Sequence, residues 1–132
     1  MTALSQDRDT LRREATGLDI PTAANVRVFG GAMVGINAAG LAVPAGANAT
    51  RVLGTAITRV DNTGGIDGGP RARIDKRVAC MSNSEGASAI TLADVGKPCY
   101  AVDDQTVTKT EGPCVAGKVF DVDANGVWVD FR

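Results

Sequence analysis

The stretch 115–131, VAGKVFDVDANGVWVDF, decides the fold. Two β-prone runs, 118–122 and 127–131, flank Asp123-Ala124-Asn125-Gly126. Asp and Asn side chains cap their own backbone in turns and Gly supplies a positive φ, so the stretch predicts a β-hairpin. Along its second strand Val127, Val129 and Phe131 share one side, while Trp128 lies on the other with Asp130 and Arg132. If the Val side is the core, Trp128 faces outward and is a candidate interface anchor. The other reading, a Trp128 capped by a loop or by the N-terminal arm of the same subunit, stays open.

The same device recurs upstream. The runs 33–36 and 41–43 flank Asn37-Ala38-Ala39-Gly40, and the runs 99–102 and 106–108 flank Asp103-Asp104-Gln105, which predicts two further hairpins. A short strand over 26–29 precedes Gly30-Gly31. Two longer strands are expected over 50–60 and 71–81. In the second of these Ala72, Ile74, Val78 and Cys80 are apolar while Arg71, Arg73, Asp75 and Arg77 are charged, giving one buried and one wet face. Lys76 breaks that pattern and is expected to reach solvent by its long stem or to mark a bulge. The stretch 61–69, DNTGGIDGG, holds four glycines and reads as a mobile loop without a core role. Thr91-Leu92-Ala93-Asp94 carries capping-box spacing ahead of Gly96 and predicts one short helix.

The first residues, MTALSQDRDTLRREATGLDI, are polar and charge-mixed. Leu4 and Leu11 could share a helix side, but Gly17 and Pro21 end that pattern early. Residues 1–21 are therefore expected to be an N-terminal arm, disordered or extended when free, ahead of a single domain over 22–132. The fold class is all-β (mainly β): a compact barrel or sandwich of eight or nine short strands with one short helix and an extended arm.

Composition fits that class and narrows function. Hydrophobic residues make up 44% but aromatics only 4%, so the core is built largely from Ala and Val, buries little area per residue, and invites stabilisation by partners. With 14 basic and 15 acidic residues there is no overall field to recruit nucleic acid or an anionic membrane. The N-terminus alternates charges where a secretory signal would place an apolar run, and no stretch reaches membrane-spanning length. A protein made and used in the cytoplasm is the expectation.

Reactive chemistry finds little to work with. Histidine is absent, which removes the commonest general base and neutral metal ligand and every Ser-His or Cys-His pair. Cys80, Cys99 and Cys114 form no Cys-x-x-Cys pair and read as reduced, partly buried thiols. Asp103-Asp104 sits at a predicted hairpin tip, where carboxylates are solvated. Asp61-Asn62-x4-Asp67 and Asp121-x-Asp123-x-Asn125-Gly126 echo calcium loops, but the second lacks the distal Glu. Neither Gly30-Gly31 nor Gly64-Gly65 fits a phosphate-binding fingerprint. Arg59, Arg71, Arg73, Lys76 and Arg77 could line one sheet face, yet no aromatic residue interleaves with them in the sequence, so a solvated or protein-contacting face is favoured over a nucleic-acid site.

Three segments carry a resemblance. VFGGAMVGINAAGLAVP at 28–44, LADVGKPCYAVDDQTVTKT at 92–110 and VAGKVFDVDANGVWVDF at 115–131 resemble the decoration, or cement, proteins of tailed-phage heads, and DRDTLRRE at 7–14 fits their charged arm. What the resemblance implies is similar to the lambda head-stabilising protein: a β-barrel or β-tulip subunit, usually trimeric, seated on the major capsid protein of the expanded shell and holding it closed, with an arm that orders on binding. It implies no enzyme activity, no cofactor, no metal, no small-molecule substrate and no membrane. The contact residues expected on this basis are Arg8, Leu11, Arg12, Arg13, Leu18 and Ile20 of the arm, with Trp128 added from the strand alternation. The virion surface is the implied location. A small nucleic-acid-binding barrel of a phage or prophage is the alternative, and a hydrolase or isomerase working through carboxylates the third class.

Overall fold

The computed structural model describes residues 2–132. Met1, the first residue of the expected arm, lies outside the described residues. The strands in chain order are β1 (Gly17–Pro21), β2 (Arg27–Val28), β3 (Met33–Ile36), β4 (Ala42–Pro44), β5 (Arg51–Ala56) and β6 (Val60–Asp61), then β7 (Arg71–Asp75), β8 (Ala79–Asn83), β9 (Pro98–Ala101), β10 (Thr106–Thr108), β11 (Val115–Asp123) and β12 (Gly126–Asp130). Mainly β is the class expected.

The three predicted hairpins are all present and their turn chemistry is visible. Asn37 accepts from the N–H groups of Ala39 and Leu41, and Gly40 takes φ +82 to close β3 onto β4. Asp103 accepts from Gln105 and Thr106 between β9 and β10. Asp123 accepts from Asn125 between β11 and β12.

These elements close a five-stranded barrel: β11 pairs with β12, β12 with β8, β8 with β10, β10 with β9, and β9 returns to β11. So few strands enclose a narrow bore that side chains alone must fill. Met81, Cys99, Val107, Ala116, Val119, Val127 and Val129 are buried in one cluster, closed by Phe131. A narrow bore is the structural reason for a core rich in Val, Ala and Cys.

A second core lies beside the first. The strands β1-β7-β5-β3-β4 form a curled sheet joined to the barrel where β5 meets β11, and it curls until Thr22, just past β1, bridges Ala42 of β4. Inside it are Val28, Val34, Ala42, Ala56, Val60, Ala72 and Ile74, with the β2–β6 ribbon contributing Val28 and Val60. Strands β3, β4 and β5 serve both cores: Met33, Val43 and Val52 face the barrel cluster, and their neighbours Val34, Ala42 and Leu53 the other. Burial on both faces explains apolar runs without alternation.

Several expectations need correction. The run 71–81 is two strands, not one. Its buried parity switches between them: Ala72 and Ile74 point inward from β7, whereas Met81 is the buried residue of β8, leaving Val78 and Cys80 only half-buried. A one-residue slip exchanges the faces of a strand, and it occurs here where the chain passes from the curled sheet to the barrel. Lys76 sits at that crossing and turns inward, donating to the carbonyls of Leu53 (2.9 Å) and Phe131 (3.2 Å). The run 50–60 likewise divides into β5 and β6.

The glycine loop is not free of core contacts. Asn62 is buried and donates to the carbonyls of Ala23 (2.7 Å) and Ile66 (2.9 Å), while Asp67 accepts from Ala24 and Asn25 from Gly64. Gly65 is required because a Cβ there would overlap the Asn62 side chain. The expected helix is a 3-10 turn, Leu92–Asp94, with Asp94 accepting from the Thr91 N–H at 2.8 Å, and a second such turn covers Gly86–Ser88. The arm is shorter than 1–21: residues 17–21 are β1, paired antiparallel along β7 from Gly17↔Asp75 to Pro21↔Arg71.

Candidate interaction surfaces

Several carboxylates that could do chemistry are engaged in local structure. Besides the Asp103, Asp67 and Asp94 contacts, Asp61 accepts from Thr63, Asp75 holds Arg77 at 2.7 Å, and Asp130 holds Arg132 at 3.0 Å. These bonds favour the ionised form and hold Asp61, Asp75, Asp94 and Asp130 below the ordinary carboxylate range. That direction is opposite to what a general acid needs. Burial pushes the thiols upward, Cys99 to about 11 and Cys114 and Cys80 in the same direction, so they are poor nucleophiles at neutral pH. Among the described residues no three His, Cys, Asp or Glu side chains gather as a metal set, and no helix is long and apolar enough to cross a membrane.

Surfaces are the more informative feature. Every residue over 2–17 is exposed, and Leu11 is 93% exposed. Arg8, Arg12 and Arg13 lie on this segment, in no regular element. Leu18 and Ile20, expected to serve a partner, instead pack half-buried against the core of the curled sheet. They are inward residues of β1, and the chain's own apolar surface already occupies them.

Strand β1 has an open edge. Lys76 donates to the Thr16 carbonyl and Thr22 donates to the Pro70 carbonyl, so the even positions of β1 bond to β7. In an antiparallel ladder the intervening residues then direct N–H and C=O away, which leaves those of Gly17 and Asp19 along an unpaired edge.

On the outer face of β1 and β7 lies a groove of about 450 Å³ whose lining includes Arg13, Asp19, Arg71, Arg73 and Ile57. Ile57 is 53% exposed, a large apolar side chain among guanidinium groups. Arg73 stands 3.8 Å from Asp19, with both side chains mostly in solvent, so their attraction is weak. The expected five-residue basic cluster does not form one face: Lys76 turns inward, Arg77 is held by Asp75, and Arg59 lies against Phe29 on the β2–β6 ribbon. Arg27 also stacks on Phe29, at 5.5 Å from the ring centre against 5.4 Å for Arg59, so an aromatic residue does sit among basic ones.

A second patch occupies the outside of the barrel. Trp128 lies opposite the Val face, as the alternation predicts, and is half-buried with Nε1 donating to Asp123 at 2.8 Å. The β11–β12 register shifts between Val119 and Asp121, which makes Phe120 the extra residue of a bulge and sets Asp121 across from Trp128. Phe120 is 56% exposed, and Cys80 of β8 lies on the other side of Trp128. One patch therefore gathers Phe120, Trp128 and Cys80 with the carboxylates of Asp121 and Asp123.

Phe29, Ile57 and Phe120 were not singled out from the sequence. A signal existed for two of them: Val28-Phe29 and Val119-Phe120 are adjacent apolar pairs in β-prone runs, and in a strand buried on one face only one of such a pair points to the core. No protein-family model, curated protein or solved structure matches the chain.

Proposed function

We propose that this chain is a structural protein of tailed-phage heads, a decoration protein that binds the outside of the major capsid protein and holds the expanded lattice together, acting without catalysis. The observation that carries the reading is the wholly exposed, charge-mixed segment 2–16 running into an edge strand whose outer backbone groups are unpaired. Such a leader orders on a partner and covers much surface for little mass, while the two-core body behind it stays rigid. A protein that engages several neighbouring shell subunits opposes their separation through effective concentration. A homotrimer on the virion surface, assembled after synthesis in the host cytoplasm, fits this role. Arg8, Leu11, Arg12 and Arg13 are the arm residues assigned to the shell contact.

Co-sedimentation with expanded heads tests the reading. Removal of residues 1–16, which spares β1, leaves the body folded and abolishes head binding. A full-length chain that does not sediment with heads overturns the proposal.

A second reading rests on Phe29, half-exposed between the guanidinium groups of Arg27 and Arg59. Such a platform suits a stacked base with flanking phosphates, and so a nucleic-acid-binding barrel. Anisotropy of a labelled single-stranded oligonucleotide decides it. This reading requires binding at low salt that weakens steeply as salt rises and is lost in Phe29→Ala, and absence of binding at low salt rejects it.

A further inference from the structure

The chain's charge is near zero only as a sum. Residues 1–78 hold ten of the 14 basic and seven of the 15 acidic residues, and residues 79–132 hold the remaining four and eight. The first segment supplies the arm and the curled sheet and the second the barrel strands, so the two parts of the chain carry net charges of +3 and −4. Each part also carries exposed apolar surface beside its excess charge. Apart from the arm, the positive groove presents Ile57 with Arg71 and Arg73 against one carboxylate, Asp19. The barrel bulge presents Phe120 and Trp128 with Asp121 and Asp123, while Lys118 on the same strand lies opposite Asp130.

We propose that these two surfaces are made for each other: the groove on β1 and β7 of one subunit takes the Phe120–Trp128 bulge of a second copy of this chain. The proposal rests on the reading of the chain as an assembling shell protein. The two surfaces lie on different lobes, so the contact is head-to-tail, and head-to-tail contacts repeat until they close into a ring or run on as a filament. Closure after three copies gives the trimer of the proposed function. Ile57 meets aromatic surface, the guanidinium groups of Arg71 and Arg73 meet Asp121 and Asp123, and Trp128 lies at the centre, where interface energy concentrates. Complementary charge fixes which surface meets which and excludes groove-to-groove and bulge-to-bulge pairing.

Sedimentation velocity of the full chain in the absence of heads tests this directly. The wild type associates at about 50 mM salt and dissociates measurably as salt rises to about 500 mM, because exposed charges lose reach as the Debye length shortens. The variant Arg71→Glu/Arg73→Glu and the variant Asp121→Lys are each monomeric, with unchanged far-UV circular dichroism, since these side chains lie on outer faces and outside the hairpin turns. Mixed in equal amounts they associate again, because the intact bulge of one meets the intact groove of the other. A wild type that stays monomeric at low salt, association that ignores salt, or two variants that associate as the wild type does would each overturn the contact. Should a charge-reversed variant lose its fold, Phe120→Ser and Ile57→Ser replace it, with weaker self-association as the supporting result and unchanged association as the overturning one. Association without head binding would leave this contact standing and remove the capsid reading, and head binding by a monomer would do the reverse.

Discussion

Lys76 donates from Nζ to the carbonyl oxygen of Phe131, 55 positions away in sequence, and in the same geometry reaches the carbonyl of Leu53. One ammonium thus ties the crossing between the two sheets to the C-terminal end of the chain and to β5. Charge-assisted hydrogen bonds of this kind contribute about 1.5–3 kcal/mol each where the partners lack water. Lys76→Met keeps the stem and removes the donor. It is expected to lower stability by roughly 2 kcal/mol, read as a lower urea midpoint with an unchanged slope, and to speed amide exchange at 129–132.

Asn62 does for the glycine loop what Lys76 does for the crossing. Its amide nitrogen is the donor to both Ala23 and Ile66 carbonyls. Asn62→Ala leaves two carbonyls unpaired and is expected to cost about 1–3 kcal/mol. Asn62→Asp replaces the donor by a carboxylate aimed at the same oxygens and is expected to cost more at neutral pH than the alanine. Denaturant unfolding of both variants checks the order, and a milder Asp than Ala would count against the donor role.

These two residues also show where the sequence was legible and where it was not. Hairpins are local: Asn37, Asp103, Asp123 and Gly126 announce their turns within a few positions, and all three turns are found. That Trp128 lies opposite the Val face follows from alternation, whereas its half-burial against Asp123 does not. Lys76 and Asn62 are read wrongly because their partners are distant, Leu53 and Phe131 in one case and Ala23 in the other. The arm boundary fails for the same reason, since Gly17–Pro21 becomes a strand only because β7 lies beside it. Alternation also says nothing of β3 to β5, which are buried on both faces. The two proposed contact surfaces draw on residues as far apart as Arg13 and Arg73, or Cys80 and Trp128, and only the fold brings them together.

The cysteines give an alkaline prediction. Cys99 is fully buried and its thiol is raised from 9.0 to about 11 by desolvation. In the unfolded chain that thiol ionises near the ordinary value, so between these two pH values the unfolded state binds fewer protons than the folded one. Stability is therefore intact below about pH 9 and falls as pH rises, by up to about 1.4 kcal/mol per pH unit for this group. Urea midpoints from pH 8 to 11 should fall more steeply for the wild type than for Cys99→Ala. A disulfide reagent at pH 8 should leave Cys99 and Cys114 unmodified until the chain is unfolded.

Trp128 is the chain's single tryptophan, which makes its bond to Asp123 directly observable. The Trp128 N–H, followed by the Asn125 N–H, favours the ionised carboxylate and lowers the Asp123 pKa from 3.8. Because the folded-state value is the lower one, the stabilisation is complete above the ordinary carboxylate range and is lost as pH falls through the folded-state value. Tryptophan emission titrated downward from pH 6 should hold steady through 3.8 and change only below it, as the indole loses its charged acceptor. Asp123→Asn keeps an acceptor oxygen at the same position without a titrating charge, so the transition should vanish while emission at neutral pH stays near that of the wild type. A midpoint at or above 3.8, or a transition that persists in Asp123→Asn, would mean that another group controls the indole, and the bulge patch would then lack the fixed carboxylate that its contact with a second copy requires.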